Sequence, residues 1–389
     1  MATAGDVELS VVLPCLDEAE TVARCVETAK RALERTGVSG EVVVADNGSR
    51  DGSAELAARA GARVVCVPER GYGSALMGGI AASRGHFVVM GDTDASYDFG
   101  EIPKFLDALR AGNELVMGCR LPAGGGRVVP GAMPLMHRLF GNPVFTWLGR
   151  LMFKAPVHDV YCGLRGFTRG LYERLGLRCT GMEFATEMVI KASLQGARVA
   201  EVPITLYPDG RSAHRPHLKT FRDGWRTLSF FLMCSPRWLY LIPGVGLVLG
   251  GLAGYAVALP AVHLGNAVFD AHTLLFASLA ILTGYQAMMF AVFAKTFATS
   301  EGILPPDQSF QRAFRLLNLE RGLLAGCAAL AAGIALLGAT VFRWWEAGFG
   351  RLDYASTMRI VVPGVTLAAI GIQTLWSSFF VAILRMRRR

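Results

Sequence analysis

The chain has 389 residues, of which 52% are hydrophobic, and its mean hydropathy is +0.38. That is more apolar than an ordinary soluble protein, in which about 45–50% of residues are apolar even when glycine is counted. The apolar residues are concentrated in residues 239–389, whereas residues 1–238 have the mixed composition of a globular domain. The composition excludes a purely soluble protein and predicts a globular domain followed by a membrane region.

The net charge is +8, and much of the excess lies beside apolar segments. This distribution favours contact with anionic lipid head groups and phosphorylated substrates. It does not favour binding to nucleic acid, because no recognition module accompanies the basic residues. The eight cysteines contain no CxxC pair or zinc spacing, which predicts reduced thiols in a cytosol-facing domain.

Short β-type runs alternate with helical segments through residues 8–119. The predicted strands are 8–13, 41–45, 63–67, a run ending at Asp92, and 114–119. This alternation predicts an α/β fold with a mostly parallel sheet covered on both faces. Ligands of such sheets bind at the carboxyl ends of the strands, where the polar loops of this chain fall.

The fourth predicted strand ends in Asp92-Thr93-Asp94. Two carboxylates at the end of a buried strand form a hard oxygen site, suited to a divalent cation that also holds phosphate oxygens. The alternative is a simple strand-ending turn, where aspartate is common.

Residues 135–154 and 218–234 each combine an apolar stripe at helical spacing with basic residues off the stripe. Basic amphipathic helices with aromatic residues suit a membrane interface. The alternative is an ordinary surface helix packed on the sheet. For residues 218–234 the interface is favoured, because an apolar span follows directly.

Four membrane spans are predicted, at about 239–260, 272–295, 322–342 and 361–384, each with the roughly 20 apolar residues that a bilayer requires. The basic tail 385–389 and loop 296–321 place both termini in the cytosol. Loop 261–271 has no Lys or Arg, as an outer loop should, but loop 343–360 contains three arginines, which conflicts mildly with that orientation.

An ordered set of motifs resembles the inverting glycosyltransferases of family 2, which have an A-type nucleotide-sugar-binding fold. Within that family the chain resembles the polyprenyl-phosphate glycosyltransferases, the group of the dolichol-phosphate mannose synthases and undecaprenyl-phosphate glucosyltransferases. The motifs are LPCLDEAE (13–20), DNGS (46–49) with Asp51, GYGSA (71–75), DTD (92–94), GCR (118–120), DVYCGLR (159–165) and MEF (182–184) with Glu187.

The resemblance implies roles for individual residues. The nucleotide-sugar site would comprise Pro14, Asp17, Glu18, Asp46, Gly73 and Asp92. A Mg²⁺ or Mn²⁺ ion would be held by Asp92, Asp94 and Ser96, although many relatives have Gln in place of Ser96. Catalytic roles fall to Asp94, Asp159 and Arg120, and contacts with the acceptor phosphate to Arg120, Arg138, Arg165 and Arg211. The basic loop 209–219 would form a lid over the donor.

The implied reaction moves one hexose, from UDP-glucose or GDP-mannose, to polyprenyl phosphate with inversion. A phosphate monoester is already ionised at neutral pH, so this acceptor needs no strong general base. The implied domains are a cytosolic transferase domain (1–217), a juxtamembrane amphipathic helix (218–238) and a membrane domain (239–389) embedded in the bilayer. The Gly- and Ala-rich spans also suggest a homo-oligomer.

Two alternatives remain. A processive polysaccharide synthase would carry Gln-x-x-Arg-Trp before a membrane helix, and the corresponding segment here, Cys234 to Trp238, lacks the Gln. An inactive scaffold or lipid-sugar translocation protein would have no need of Asp46, Asp92, Asp94 and Arg120, which are all present.

Overall fold

The computed structural model describes residues 7–211, 220–264, 267–305 and 318–386. The chain forms two compact units, residues 1–231 and 232–389. The first unit is an α/β domain built on a seven-stranded sheet, and the second contains four long apolar helices. The predicted boundaries at residues 217 and 238 differ from this division and stay a prediction.

The regular elements of the first unit alternate along the chain. In order they are β1 (Leu9–Cys15), α1 (Val22–Thr36), β2 (Gly40–Asp46), α2 (Ser53–Arg59), β3 (Arg63–Cys66), α3 (Tyr72–Ala82), β4 (Phe87–Met90), α4 (Ile102–Arg110), β5 (Leu115–Cys119), β6 (Arg127–Val128), α5 (Asn142–Phe153), β7 (Arg165–Thr168), α6 (Arg169–Leu175), α7 (Glu183–Leu194), β8 (Val199–Pro203), β9 (Thr205–Leu206) and α8 (Thr220–Cys234), which continues into the second unit.

The main sheet has the strand order β3-β2-β1-β4-β7-β5-β8. The pairs β3–β2, β2–β1, β1–β4 and β5–β8 are parallel, which confirms the predicted mostly parallel sheet. β1 and β4 are fully buried runs of Val, Leu and Met, as expected for a strand covered on both faces. The strands β1, β2, β4, β5 and β8 run in the same direction, so their carboxyl ends lie at one edge of the sheet. The loops that follow these five strands therefore meet at that edge.

The strand β7 was not predicted. It lies antiparallel between β4 and β5, and pairs with both. Its residues Arg165, Gly166 and Phe167 are buried, so a short run that contains an arginine and a glycine occupies the centre of the sheet. Neither residue type is enriched in strands, which is why the pattern of the sequence did not indicate one.

The second unit contains four helices that are long and apolar enough to cross a membrane, in agreement with the predicted number. They comprise a π-helical turn (Arg237–Leu241) continuous with α9 (Ile242–Ala258), then α10 (Ala271–Ser300), α11 (Leu319–Glu346) and α12 (Tyr354–Arg385). A short antiparallel pair, β10 (His263–Leu264) and β11 (Ala267–Val268), precedes α10. The last three helices extend well beyond the predicted spans.

Glycines set the packing of these helices. A Cβ added at Gly333 of α11 would lie 2.5 Å from the amide nitrogen of Ala368 in α12, and one at Gly371 of α12 would lie 2.5 Å from the amide of Leu330. The two backbones therefore approach closely only because side chains are missing at these positions. The hydroxyl of Tyr255 adds hydrogen bonds to Ser278 at 2.7 Å and Thr366 at 3.0 Å, which join α9, α10 and α12.

Candidate active site

The loop after β4 holds its two carboxylates in different environments. Asp92 accepts a hydrogen bond of 2.8 Å from the hydroxyl of Tyr72, the first residue of α3. Asp94 accepts hydrogen bonds on Oδ1 from the amide (3.0 Å) and the hydroxyl (2.6 Å) of Ser96. Burial, and then the nearby charge of Asp94, raise the pKa of Asp92 to about 6. A pair of carboxylates that repel each other in a buried site favours binding of a cation.

The loop is tied to its neighbours through its backbone and Thr93. The Thr93 hydroxyl donates to the carbonyl of Pro14 at 2.8 Å, and the Gly210 amide donates to the carbonyl of Asp94 at 2.9 Å. Ala95 has a φ of 61°, a left-handed conformation that is rare for residues other than glycine, asparagine and aspartate. The segment after β9 is thus held against the loop that carries Asp92 and Asp94.

Arg211 links that segment to two predicted site carboxylates. Its guanidinium pairs with Glu18, with Nε to Oε2 at 2.9 Å, and lies 3.8 Å from Asp94 Oδ2. Asp209 also contacts it, at 3.3 Å. Arg211 was predicted to contact the acceptor phosphate, but here it neutralises carboxylates of the predicted donor and metal sites.

The predicted nucleotide residues after β1 and β2 form one connected turn. Asp46 accepts hydrogen bonds from the amides of Gly48 and Ser49, both at 3.2 Å. Asp17, with a left-handed φ of 56°, accepts from the amide of Arg50 at 2.8 Å. The loops after β1 and β2 therefore form one edge of the candidate site.

Asn47 extends this network, and the sequence analysis gave it no role. Its amide nitrogen donates to the carbonyls of Val67 and Glu69, and its oxygen accepts from the amide of Gly71 at 2.8 Å. One side chain thus connects the end of β2 to the loop that begins α3. The only signal in the sequence was its place in the DNGS motif.

Arg120 and Asp159 form a buried ion pair. Arg120 Nε lies 2.7 Å from Asp159 Oδ2 and Nη2 lies 2.9 Å from Oδ1, and the amide of Arg120 adds a third hydrogen bond at 3.1 Å. Asp159 is fully buried, whereas the Arg120 side chain keeps 10% exposure. The predicted catalytic contact for Asp159 is therefore not supported by the structure, and the contacts make it a positioning residue for Arg120.

Glu201 on β8 supports this pair, and the sequence analysis did not single it out. Its Oε1 accepts from the amides of His158 (2.6 Å) and Asp159 (3.2 Å), and its Oε2 lies 2.6 Å from Nδ1 of His158. It therefore fixes the turn that carries Asp159. No motif marks a single glutamate in a short strand, so the sequence offered no signal for it.

The described contacts bear on four further predicted site residues. Arg165 is fully buried and its guanidinium donates to the carbonyls of Ala185 and Cys162, which are contacts within the protein in place of an acceptor phosphate. Burial lowers its pKa, and its charge faces Tyr72 and Asp92. The hydroxyl of Ser96 donates to Asp94, so Ser96 supports that carboxylate, and its role as a metal ligand stays a prediction.

Gly73 is explained by packing, because a Cβ there would overlap the carbonyl oxygen of Cys179 and Phe184. Arg138 lies on an exposed π-helical turn (His137–Gly141), and the described contacts do not connect it with the other candidate residues. Residues 212–219, most of the predicted lid, lie outside the described part of the chain.

The arrangement fits a divalent cation bound together with phosphates. Among the described residues, no three His, Cys, Asp or Glu side chains gather into a complete protein cage. Mg²⁺ commonly binds through one or two carboxylates plus substrate phosphates, and Asp92 and Asp94 supply that number.

Comparisons with known proteins agree with this geometry. The profile of the family "Glycosyl transferase family 2" matches residues 10–176, and that of the "Glycosyltransferase family 2 C-terminal transmembrane region" matches residues 292–385. The "Low-salt glycan biosynthesis hexosyltransferase Agl6" of Haloferax volcanii is 37% identical over 378 residues, which cover 97% of this chain and 89% of that protein. The chain is a family 2 glycosyltransferase.

Other similar proteins align with about half of this family 2 glycosyltransferase. A "Dolichyl-phosphate hexose transferase" of Haloferax volcanii is 32% identical over 51% of this chain and 82% of its own length. A glucosyl-3-phosphoglycerate synthase of Mycobacterium tuberculosis, solved with Mn²⁺ and uridine diphosphate, aligns at 23% identity with a TM-score of 0.46 over 59% of this chain and 80% of that one.

Proposed function

We propose that this glycosyltransferase moves one hexose from a nucleotide sugar to polyprenyl phosphate, with inversion of the anomeric configuration. The observation that carries the proposal is that an acidic group (Asp92 and Asp94) and a basic group (Arg120) both follow strands whose carboxyl ends lie at the same edge of the sheet. Asp92 and Asp94 suit a cation with a diphosphate, whereas Arg120, held by Asp159, suits an anionic acceptor. The proposed donor is UDP-glucose or GDP-mannose.

The donor would bind along the loops after β1, β2 and β4. The carboxylates of Asp17 and Asp46, on the loops after β1 and β2, would accept hydrogen bonds from the base and ribose of the nucleotide. A Mg²⁺ or Mn²⁺ ion at Asp92 and Asp94 would offset the negative charge that develops on the leaving nucleoside diphosphate. The Ser96 hydroxyl and the Tyr72 hydroxyl keep these two carboxylates in position.

Arg211 must change its contacts when the diphosphate binds, because its guanidinium now balances Glu18 and Asp94. An incoming diphosphate with its cation would offer the guanidinium a new anionic partner. Arginine suits this task, since its planar fork of donors matches phosphate oxygens. This arrangement supports a phosphate contact for Arg211 on the donor side.

The acceptor requires positioning more than activation. A phosphate monoester, with a second pKa of about 6, is an anionic nucleophile at neutral pH, so no general base is needed. Arg120 is fixed through Nε and Nη2, and its third guanidinium nitrogen, Nη1, which has no hydrogen bond to the other described residues, would orient an acceptor oxygen. Holding the two reactants in a fixed geometry is then the main source of rate acceleration.

The lipid acceptor is supported by three further observations. The second unit has four candidate membrane helices. The turn and helix at 135–151 expose Leu135, Leu139, Phe140, Val144, Trp147 and Leu151, a stripe that is not packed on the sheet. Such an apolar surface with basic neighbours suits a bilayer surface. The printed name of one relative also includes dolichyl phosphate.

A panel of donors and acceptors tests the proposal. The purified full chain in lipid would receive Mg²⁺ or Mn²⁺, each common nucleotide sugar in turn, and either undecaprenyl phosphate, dolichyl phosphate or 3-phosphoglycerate. We expect transfer of one sugar, from one donor, to a polyprenyl phosphate. Long polymer would indicate a processive synthase, and transfer to the soluble phosphate alone would contradict a lipid acceptor.

A further inference from the structure

A second cleft lies beside the loop that carries Asp92 and Asp94, and its lining includes Ala95 and Gly210. It has a volume of about 720 Å³ and is lined by residues of α1, the loop 95–100 and the segment 207–210. None of the residues predicted to bind the nucleotide sugar, the metal or the acceptor lines it. Its wall includes Ala95 and Gly210, which adjoin Asp94 and Arg211 in the sequence.

The cleft is strongly basic. Arg24, Arg31 and Arg35 line it from α1, whereas Asp98 is the acidic residue among the described lining residues. The Asp98 carboxylate already accepts a hydrogen bond of 2.8 Å from the amide of Gly100. Within the described residues, no carboxylate forms an ion pair with any of the three arginines, in contrast to Arg63, Arg110 and Arg174 elsewhere on this unit.

The spacing of the arginines constrains the ligand. Positions 24, 31 and 35 recur at helical intervals on one face of α1, and the first and last are about 16 Å apart along the axis at 1.5 Å per residue. A single small anion cannot contact guanidinium groups so widely spread, even with their long side chains. Tyr207, which is 41% exposed, adds an aromatic ring to the same cleft. The cleft therefore matches an elongated ligand with separated anionic groups.

We propose that this cleft binds an extended phosphorylated ligand through Arg24, Arg31 and Arg35, at a site separate from the donor site. Arg31 donates to the carbonyl of Glu27 and the hydroxyl of Thr28, both at 3.4 Å, but none of the three arginines has a carboxylate partner among the described residues. Arginine forms charge-assisted hydrogen bonds with phosphate oxygens, so three such guanidinium groups around one cleft favour a phosphorylated partner. The phosphates can belong to a soluble molecule or to a lipid head group, since both present the same oxygens. The proposal does not depend on the identity of the transferred sugar.

Binding of linear pentaphosphate, an elongated probe with several anionic groups, tests the site without any transfer reaction. Isothermal titration would use the purified full chain in detergent with EDTA, so that no metal complex forms at Asp92 and Asp94. We expect the triple variant R24Q/R31Q/R35Q to bind pentaphosphate at least about tenfold more weakly than the unaltered chain. A matched control, R59Q/R84Q/R198Q, removes the same charge from exposed positions of the same unit and should bind like the unaltered chain.

Two results would overturn the proposal. One is equal binding by the unaltered chain and the R24Q/R31Q/R35Q variant. The other is loss of pentaphosphate binding in a folded R211Q variant, which would place the probe in the donor site, because Arg211 is the cation proposed to contact the donor phosphates.

A further arm identifies the source of the phosphate. Competition by short-chain phosphatidylinositol bisphosphate, below its micelle concentration, would assign the cleft to a lipid head group with several phosphates. Retained pentaphosphate binding in its presence would assign it to a soluble phosphorylated ligand.

Discussion

Asp94 is the residue on which the proposed metal site depends most. Its Oδ1 is occupied by Ser96, and its Oδ2 lies near the movable guanidinium of Arg211, so one oxygen is available for a cation. The substitution D94N keeps the shape of the side chain but removes its charge. We expect the rate of sugar transfer to fall on the order of 100-fold or more, because metal-ion charge stabilisation contributes several kcal/mol.

The measurement combines the transfer rate with Mn²⁺ binding, which separates loss of metal from loss of folding. D107N is the matched control, since Asp107 is exposed on α4 and outside the candidate site. Mn²⁺ affinity of D94N equal to that of the unaltered chain would contradict the assignment of Asp94 as a ligand.

Arg120 and Asp159 should behave as one unit. Removing the Asp159 charge leaves a buried guanidinium unpaired, and such losses destabilise proteins by about 3–5 kcal/mol. We expect D159N to be strongly destabilised and the double variant R120Q/D159N to recover part of the stability, whereas transfer is lost in R120Q, D159N and the double variant. The free energy of coupling follows from denaturant unfolding of the single and double variants.

The exposed pair of Arg110 with Glu8 provides the control for that cycle. Its side chains are 44% and 34% exposed, so E8Q should change the stability by less than about 1 kcal/mol. If the changes in the free energy of unfolding caused by R120Q and D159N simply add, the two side chains act independently, which would contradict the predicted coupling.

The thiols of the first unit give a test that depends on pH. Burial raises the pKa of Cys15, Cys25 and Cys162 to about 12, so these thiols stay neutral at pH 8 and lose their protons only in strong base. Cys66 is exposed. A charged maleimide at pH 8 should therefore modify Cys66 and leave the three buried thiols unmodified until the chain unfolds, as read by peptide mass spectrometry. The thiol of Cys25, on α1, contacts the carbonyl of Thr93 in the loop that carries Asp92 and Asp94. Labelling of Cys25 before unfolding would contradict this contact.

At the scale of elements, the parallel strands could be predicted because burial on both faces leaves an uninterrupted apolar run in the sequence. The alternation of such runs with helices then determines the class of fold. β7 and β8 escaped prediction for a different reason. Their residues include Arg165 and Glu201, which form hydrogen bonds with Ala185 and with His158 and Asp159, respectively. These partners are distant in sequence, and a local pattern contains no information about them.

The same distinction applies to the candidate site. Residues that follow strand ends, such as Asp46, Asp92 and Asp94, were predicted because topology brings strand ends together. The role of Asp159 could not be predicted, because its full burial against Arg120 depends on how β7 inserts between β4 and β5. Gly73 was predicted to bind the nucleotide sugar only because it belongs to the GYGSA motif. In the structure, its lack of a side chain allows α3 to pack on the backbone of Cys179.

The pair of α11 and α12 offers a test of helix packing in the membrane unit. G333A would force a Cβ against the backbone of α12, and we expect it to lower the stability by about 1–3 kcal/mol. G338A lies on the same helix, where an added Cβ meets nothing within 4 Å, and should be neutral or slightly stabilising. Thermal unfolding of both variants in lipid nanodiscs measures the difference. Equal melting temperatures would contradict the close approach of these two helices.

This packing also bears on the expected homo-oligomer. Gly326, Gly333, Gly364 and Gly371 contact the neighbouring helix of the same chain, so these small residues are already used within the monomer. These four glycines therefore give no support to association between copies, whereas Gly246, Gly250 and Gly338 have nothing within 4 Å of an added Cβ among the described residues. The homo-oligomer stays a prediction.

At the scale of the whole molecule, the predicted orientation places loop 343–360 outside the cytosol, although this loop contains three arginines. Arg359 near the start of α12 lies 2.9 Å from Asp270, the residue before α10. The starts of these two helices are thus at the same end of the membrane unit, and one of the three arginines in loop 343–360 is neutralised. We propose that this end faces outward and that both termini are cytosolic. The basic residues 312, 315 and 387–389, on which that orientation also depends, lie outside the described part of the chain.

The most direct test of the account is the mass of the lipid product after transfer. The full chain in lipid, supplied with undecaprenyl phosphate, Mg²⁺ or Mn²⁺ and the active nucleotide sugar, should yield a lipid heavier than the acceptor by one hexosyl residue. D94N under the same conditions should yield almost none. A product without added hexose, or one extended by many hexoses, would contradict the proposed single transfer to polyprenyl phosphate.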